Sequence, residues 1–255
     1  MSKIVFFCIP AYGHTNPTIE VVRELVKRGN QVHYYSFYEF RSRIEETGAV
    51  CIPCDDFMPP APKDIDKKVG KDLSSLVDMT VDVTLAMEDK VLGELRAWKP
   101  DCIVSDSICI WGKLYAKILN VPFVCSTTTF AFNQQTARLM KQSLSELLRM
   151  LSGMPRINAR LRQLRRHGYE IRQFYELLQN DNDTETIVYT SKEFQPMSET
   201  FSDKFTFTGP SIAVPKPSGH KKSRPLVYIS LGTVLNRQGD FYISCMKALK
   251  TEALD

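Results

Sequence analysis

Lys3-Ile-Val-Phe-Phe-Cys-Ile9 runs straight into Pro10-Ala-Tyr-Gly-His-Thr-Asn-Pro17, and this junction decides the fold. An unbroken apolar run with β-branched and aromatic residues, closed by proline, reads as a buried strand from Ile4 to Ile9. Pro10 and Gly13 read as the turn that ends it, with Gly13 free to take a backbone conformation closed to other residues. From Thr18 to Arg28 the apolar residues fall at helical spacing, and Gly29-Asn30 is a stop signal. Strand, turn and helix in that order make a βα unit, whose crevice lies beyond the carboxyl end of the strand, where open α/β sheets bind ligands. His14 stands at the mouth of that crevice.

The alternation repeats along the chain. Gln31 to Ser36 reads as a second strand, Phe40 to Thr47 as a short helix closed by Gly48, and Val50 to Pro53 as a third strand. A loop rich in proline and aspartate, Asp55 to Asp66, leads to a long helix over Leu73 to Trp98, where Leu76, Met79, Val83, Met87, Val91 and Leu95 form a core stripe. The strand Cys102 to Ser105, the helix Ile110 to Leu119 and the strand Pro122 to Thr127 follow. Residues 128 to about 180 read as mostly helix, broken at Gly153-Met-Pro155 and at His167-Gly168, and further strands are expected at Thr186 to Thr190 and Lys204 to Thr208. The fold class is therefore α/β, a Rossmann-like parallel sheet over residues 1–208.

Residues 209–225, with four prolines and two glycines, read as a linker. In 226–255, Leu226 to Leu231 reads as a strand closed by Gly232-Thr233, and Phe241 to Lys250 as its helix. One strand and one helix cannot bury their apolar faces alone, so this end is expected to be the incomplete start of a second Rossmann-like unit.

Composition narrows the function. A chain of 255 residues, 43% hydrophobic, can bury a sizeable core, and a net charge of +4 on 33 basic and 29 acidic residues is too mild to indicate nucleic acid. Arg156, Arg160, Arg162, Arg165, Arg166 and Arg172 crowd one region, either as a solvated helix face or as a contact for an anionic surface or acceptor. Seven scattered cysteines, several inside strands, indicate free thiols in a reducing compartment, and the lone Cys51-x-x-Cys54 reads as packing. No apolar run nears the roughly 18 residues of a membrane span, and the N-terminus is not a secretory signal, so a cytoplasmic location is expected. His33, His167 and His220 have no partner at metal-ligand spacing, and neither a Gly-x-Gly-x-x-Gly nor a P-loop sequence occurs.

Gly13-His-Thr-Asn-Pro17 with the helix after it, Pro100-Asp-Cys-Ile-Val-Ser-Asp106, Phe205-Thr-Phe-Thr-Gly-Pro210 and Val227-Tyr-Ile-Ser-Leu-Gly-Thr233 occur in a telling order. With these four motifs the chain resembles, over most of its length, the UDP-glycosyltransferases of the macrolide and flavonoid type. The resemblance implies the GT-B fold, two Rossmann-like domains facing across a cleft, here the acceptor-binding domain plus the opening of the donor-binding one. It implies metal-independent, inverting transfer from a UDP-sugar, which is donor substrate rather than cofactor, with His14 as catalytic base and Asp106 as the acid that orients it. It also implies that Ser230, Gly232 and Thr233 lie near the donor diphosphate, and that Thr128 to about Asn180 forms the variable acceptor-side insertion. The family's main donor motif, with its His-Gly-Gly segment, does not occur in this sequence. The chain alone is accordingly expected to bind UDP-sugar poorly and to need a complementing C-terminal half.

The residues support that chemistry. Histidine titrates near neutrality and suits proton abstraction from an acceptor hydroxyl, and a carboxylate that holds its tautomer improves it. Asp101 lies at the amino end of the fourth strand, whereas Asp106 leaves its carboxyl end beside His14. On position alone, His14 could equally be a turn histidine satisfied by backbone, and Asp106 a cap for the turn that follows. Phe57, Trp111, Phe130 and Phe132 follow strands that end near His14 and point to a small apolar or aromatic acceptor, each being equally readable as core. Two rivals stand beside this reading: a catalytically silent acceptor- or partner-binding half, and another GT-B-like enzyme such as a nucleotide-sugar epimerase or lipid-linked sugar transferase.

Overall fold

Seven short apolar runs pair into one parallel sheet in the computed structural model, which describes residues 1–59, 72–139, 143–178, 182–213, 227–232 and 238–250. The strands are β1 (Lys3–Phe7), β2 (Gln31–Ser36), β3 (Val50–Pro53), β4 (Cys102–Asp106), β5 (Phe123–Thr127), β6 (Glu185–Val188) and β7 (Phe205–Phe207). Their order is β3-β2-β1-β4-β5-β6-β7. The helices are α1 (Tyr12–Lys27), α2 (Arg41–Glu45), α3 (Leu73–Trp98), α4 (Ile110–Leu119), α5 (Gln134–Ala137), α6 (Leu144–Arg166), α7 (Tyr175–Leu178) and α8 (Gly239–Lys250). The chain divides into two units, Met1–Ile212 and Ala213–Asp255, and the sheet belongs to the first.

Alternation along each strand sends side chains to opposite faces. Val5, Phe7, Tyr35 and Ile103 meet Met87, Val91 and Leu95 of α3, Leu114 and Tyr115 of α4 and Ile157 and Leu161 of α6 in one core. Ile4, Phe6, Tyr34 and Val104 meet Ile19 and Val22 of α1 and Ile44 of α2 in the other. Because β1 and β2 pair in register, Phe6 stacks on Tyr34 with centroids 5.5 Å apart and Phe7 on Tyr35 at 4.9 Å. The α3 stripe is core from Val83 to Leu95, while Leu76 and Met79 are only half-buried.

Three local expectations need correction. The first helix starts at Tyr12 and not at Thr18, so Gly13 is helical, and a Cβ there would meet nothing within 4 Å. Pro17 is tolerated because the carbonyl it leaves without a donor belongs to exposed Gly13, where water can serve it. Gly153-Met-Pro155 does not break α6; burial of Ile157, Leu161 and Leu164 outweighs the single hydrogen bond lost at Pro155. In the second unit Val227 to Leu231 forms no strand, since no described strand of that unit offers it an edge, while its helix α8 does form. Leu226 and most of the expected linker lie outside the described residues.

The arginine cluster divides. Arg156 and Arg160 pair with Asp78, and Arg160 also with Asp82, tying α6 to α3, whereas Arg162, Arg165, Arg166 and Arg172 are exposed.

Two positions give contrasting tests. Gly112 of α4 lies against β4 so closely that an added Cβ would collide with the Ser105 side chain and come within 3.1 Å of the Phe7 ring. Gly112→Ala should destabilise the fold by about 1–3 kcal/mol. At exposed Gly93 of α3 nothing lies within 4 Å of such a Cβ, and Gly93→Ala should stabilise by about 0.5–1 kcal/mol, both read from urea denaturation. The N-cap of α3 gives a pH test. Hydrogen bonds from the hydroxyls of Ser75 and Ser74 hold the Asp72 carboxyl down to about 2. A depressed carboxyl stabilises above its unfolded value near 4, so the deficit of Asp72→Ala, about 0.5–2 kcal/mol, should be constant above pH ~4. It should close as pH falls through about 2.

Candidate active site

The sheet order places a crevice between β1 and β4. After β1 the chain turns toward β2, and after β4 it turns toward β5, so the two connections diverge and leave space beyond the carboxyl ends of the strands. Parallel register matches Phe7 with Ser105, which brings the residues after β1 level with Asp106. His14, on the first turn of α1, points its Nδ1 at Asp106 Oδ2, 2.7 Å away, and the Thr128 hydroxyl, carried by the loop after β5, lies 3.0 Å from the same nitrogen.

Asp106 does both things the sequence allowed. Its Oδ1 accepts the Ile108 N–H at 2.9 Å, closing the turn, while Oδ2 faces His14. The carboxylate side chain is 1% exposed, and a buried charge is tolerated only when partnered in this way. Burial first, and the Asp106 charge second, push the thiols of Cys8 and Cys109 far up, so both are inert as nucleophiles.

Nδ1 carries at most one hydrogen, which is shared between the carboxylate 2.7 Å away and, as a second and weaker acceptor, the Thr128 hydroxyl oxygen at 3.0 Å. That leaves the lone pair on Nε2, to which no described residue is bonded, as the basic atom of the neutral ring. The imidazole is 17% exposed, enough for a substrate hydroxyl to reach it. A ring held by a buried carboxylate, with its other nitrogen open, can accept a proton and have the resulting cation stabilised.

A cavity of 180 Å³ is lined by Leu76, Thr80, Ser107, Ile108, Phe130 and Phe132, among others. His14 and Asp106 do not line it, but its walls include Ser107 and Ile108, which follow Asp106, and Thr127 and Thr129, which flank Thr128. Trp111, by contrast, is a core residue, 2% exposed, with an indole N–H that finds no described partner. Phe57 is half-buried against the same core, with the Lys90 ammonium 4.0 Å above its ring. In the second unit Gly232 takes a φ of +75° and donates its N–H to the Ser230 hydroxyl at 3.1 Å; Thr233 lies outside the described residues. A larger hollow of 1130 Å³ opens beside the amino ends of β5 and β6, and neither His14 nor Asp106 lines it. Thr128 was not anticipated from sequence: in Thr127-Thr128-Thr129 only the position just past the strand marks it out. Among the described residues no group of histidine, cysteine and acidic side chains is arranged to hold a metal ion, and no helix is long and apolar enough to cross a membrane.

The two roles of Asp106 separate by substitution. Asp106→Asn keeps an acceptor for the Ile108 N–H, whereas Asp106→Ala leaves that N–H unpaired and the imidazole with Thr128 alone. Alanine should therefore cost about 1–3 kcal/mol and asparagine clearly less in urea denaturation, while both disturb the His14 tautomer seen by nitrogen NMR. Equal cost from the two would mean that Oδ1 does not hold the turn.

No protein-family model matches the chain. It is 32% identical over 259 residues, 97% of its length, to the NDP-glycosyltransferase YjiC of Bacillus licheniformis, of which it spans 62%. It is 31% identical over 271 residues, 98% of its length, to the demethyllactenocin mycarosyltransferase of Streptomyces fradiae, spanning 57% of that protein. The solved glycotransferase of kitacinnamycin superposes with a TM-score of 0.76 at 22% identity, over 98% of this chain and 63% of that one, a likeness of fold. The chain thus spans about three-fifths of the length of the curated relatives it matches. It is a homologue of the NDP- and UDP-glycosyltransferases, those of macrolides among them, and its α/β sheet is the Rossmann-like sheet of their GT-B fold.

Proposed function

We propose that this chain supplies the acceptor side and the catalytic base of a glycosyltransferase that moves a sugar from a UDP-sugar to a hydroxyl of a small apolar or aromatic acceptor, with inversion. The observation that carries the reading is the 2.7 Å bond between His14 Nδ1 and the buried carboxylate of Asp106 at the switch point of the sheet. The homologues' names support transfer of a sugar. The apolar side chains of Leu76, Phe130 and Phe132, in a cavity that also takes in Ser107 and Ile108 just after Asp106, support an acceptor with an apolar or aromatic body.

In this reading Nε2 of His14 takes the proton of the acceptor hydroxyl as its oxygen attacks the anomeric carbon. The bond from that carbon to the diphosphate oxygen breaks on the opposite face, and UDP leaves with the electron pair. Asp106 stabilises the imidazolium while it lasts. Groups near Ser230, Gly232 and Thr233 are assigned to the departing diphosphate, and a donor-binding half on a second segment or chain completes the site.

The test is a transfer assay with UDP-sugars and hydroxylated aromatic acceptors, on the chain joined to a donor-binding half. His14→Ala should lower the rate by roughly 10²–10⁴-fold while donor affinity, measured by calorimetry, stays within about twofold. Transfer that survives His14→Ala, or donor binding that is lost with it, would sink the assignment of the base.

A further inference from the structure

The loop after β5 holds both Thr128 and the cavity aromatics, yet its own backbone is pinned by one distant side chain. Gln195 is 4% exposed, and its carboxamide pairs with the main chain of Ala131 as a neighbouring strand would: Oε1 accepts the Ala131 N–H at 2.9 Å and Nε2 donates to the Ala131 carbonyl at 3.1 Å. Nε2 donates also to the Pro196 carbonyl at 3.1 Å, so three of the four hydrogen-bonding places of the amide are used. Ala131 is itself 3% exposed and packs with Val188 and Phe205, so no water replaces these bonds if the amide is lost. Gln195 is in turn held by its own N–H on the Ser191 carbonyl at 3.0 Å, and its neighbour Phe194 lies against Phe130 with ring centroids 5.5 Å apart. Farther along, Asn133 closes the loop through a capping box and a bond to the Thr200 hydroxyl at 2.8 Å.

We infer that Gln195 is a positioning residue for the His14 site: by clamping Ala131 it fixes the loop that sets the Thr128 hydroxyl against His14 and stands Phe130 and Phe132 at the cavity. It acts through Thr128 and not on substrate. A carboxamide is required because the clamp needs an acceptor and a donor on one planar group, which neither leucine nor a carboxylate provides. The inference rests on the proposed function only for its kinetic consequence, a rise in KM for the acceptor together with a fall in kcat. Its structural content is independent of turnover.

The experiment uses the 255-residue chain labelled at histidine nitrogens, with exchange of the His14 Nδ1 hydrogen followed by NMR and folding checked by thermal melting. Gln195→Leu and Thr128→Val should each speed that exchange about tenfold. The double variant should be no faster than the faster single one, because both remove the same contact. Unchanged exchange in a folded Gln195→Leu chain, or additive effects in the double variant, overturns the inference. Should Gln195→Leu fail to fold, Gln195→Glu carries the test. Its carboxylate still accepts the Ala131 N–H but loses the donor, so its exchange relative to wild type should be faster above the carboxyl's titration than below it. A ratio that is flat with pH overturns the inference as well.

Discussion

Parallel register between β1 and β4 is the constraint from which the rest of the site follows. Pairing Phe7 with Ser105 ends both strands at one level of the sheet and lets a helix-borne histidine meet a strand-borne aspartate. A slip of one residue would displace either end by about 3.3 Å, more than a hydrogen bond can absorb. It would also turn every side chain to the wrong face. The alternation that sends Val5 and Phe7 to one core and Ile4 and Phe6 to the other therefore protects the dyad as well as the fold.

The central strands change character at their last residues. Their buried bodies are mostly apolar or aromatic, but β2 ends in Ser36, β4 in Ser105-Asp106 and β5 in Ser126-Thr127, and all five of these residues are buried. Burying polar groups is costly without partners, and most of these have them: Ser105 donates to the Cys109 carbonyl at 2.8 Å, and Ser126 meets the Tyr189 hydroxyl at 3.1 Å. The result is a polar layer at the carboxyl edge of a dry sheet. A buried carboxylate is tolerable there and would not be one turn deeper, where isoleucine and valine side chains offer no donors.

Much of this was legible in the residues. The bounds of β2, β3, α3 and α4 agree with those read from periodicity, and Asn120 takes the left-handed conformation that ends α4. Proline and glycine misled where tertiary burial outweighed them, at Pro155 and Gly153 inside α6, and where a helix began before the proline that seemed to announce it, at Tyr12. Trp111 shows a further limit: sequence puts it in the first turn of the helix after β4, and only packing decides that this turn faces the core and not the crevice. Thr128 and Gln195 could not be picked out, because their roles depend on contacts with residues 114 and 64 positions away.

That difference in sequence separation also orders the site. The turn that holds Asp106 is closed mostly by local bonds, from Ile108 and Cys109 N–H to Asp106 and from the Ser105 hydroxyl to Cys109, with one bond from the Ser107 N–H to the Ser126 carbonyl of β5. The dyad itself joins residues 92 apart, and the Thr128 contact residues 114 apart. Loop closure of that length is rewarded only once β1 and β4 have paired. A buried carboxylate without its imidazole is the costlier state, so the bond to His14 offsets the desolvation of Asp106 in the completed fold. The pairing of base and acid thereby favours the completed sheet over partly assembled ones, and the chemistry of the site and the cooperativity of the fold depend on the same hydrogen bond.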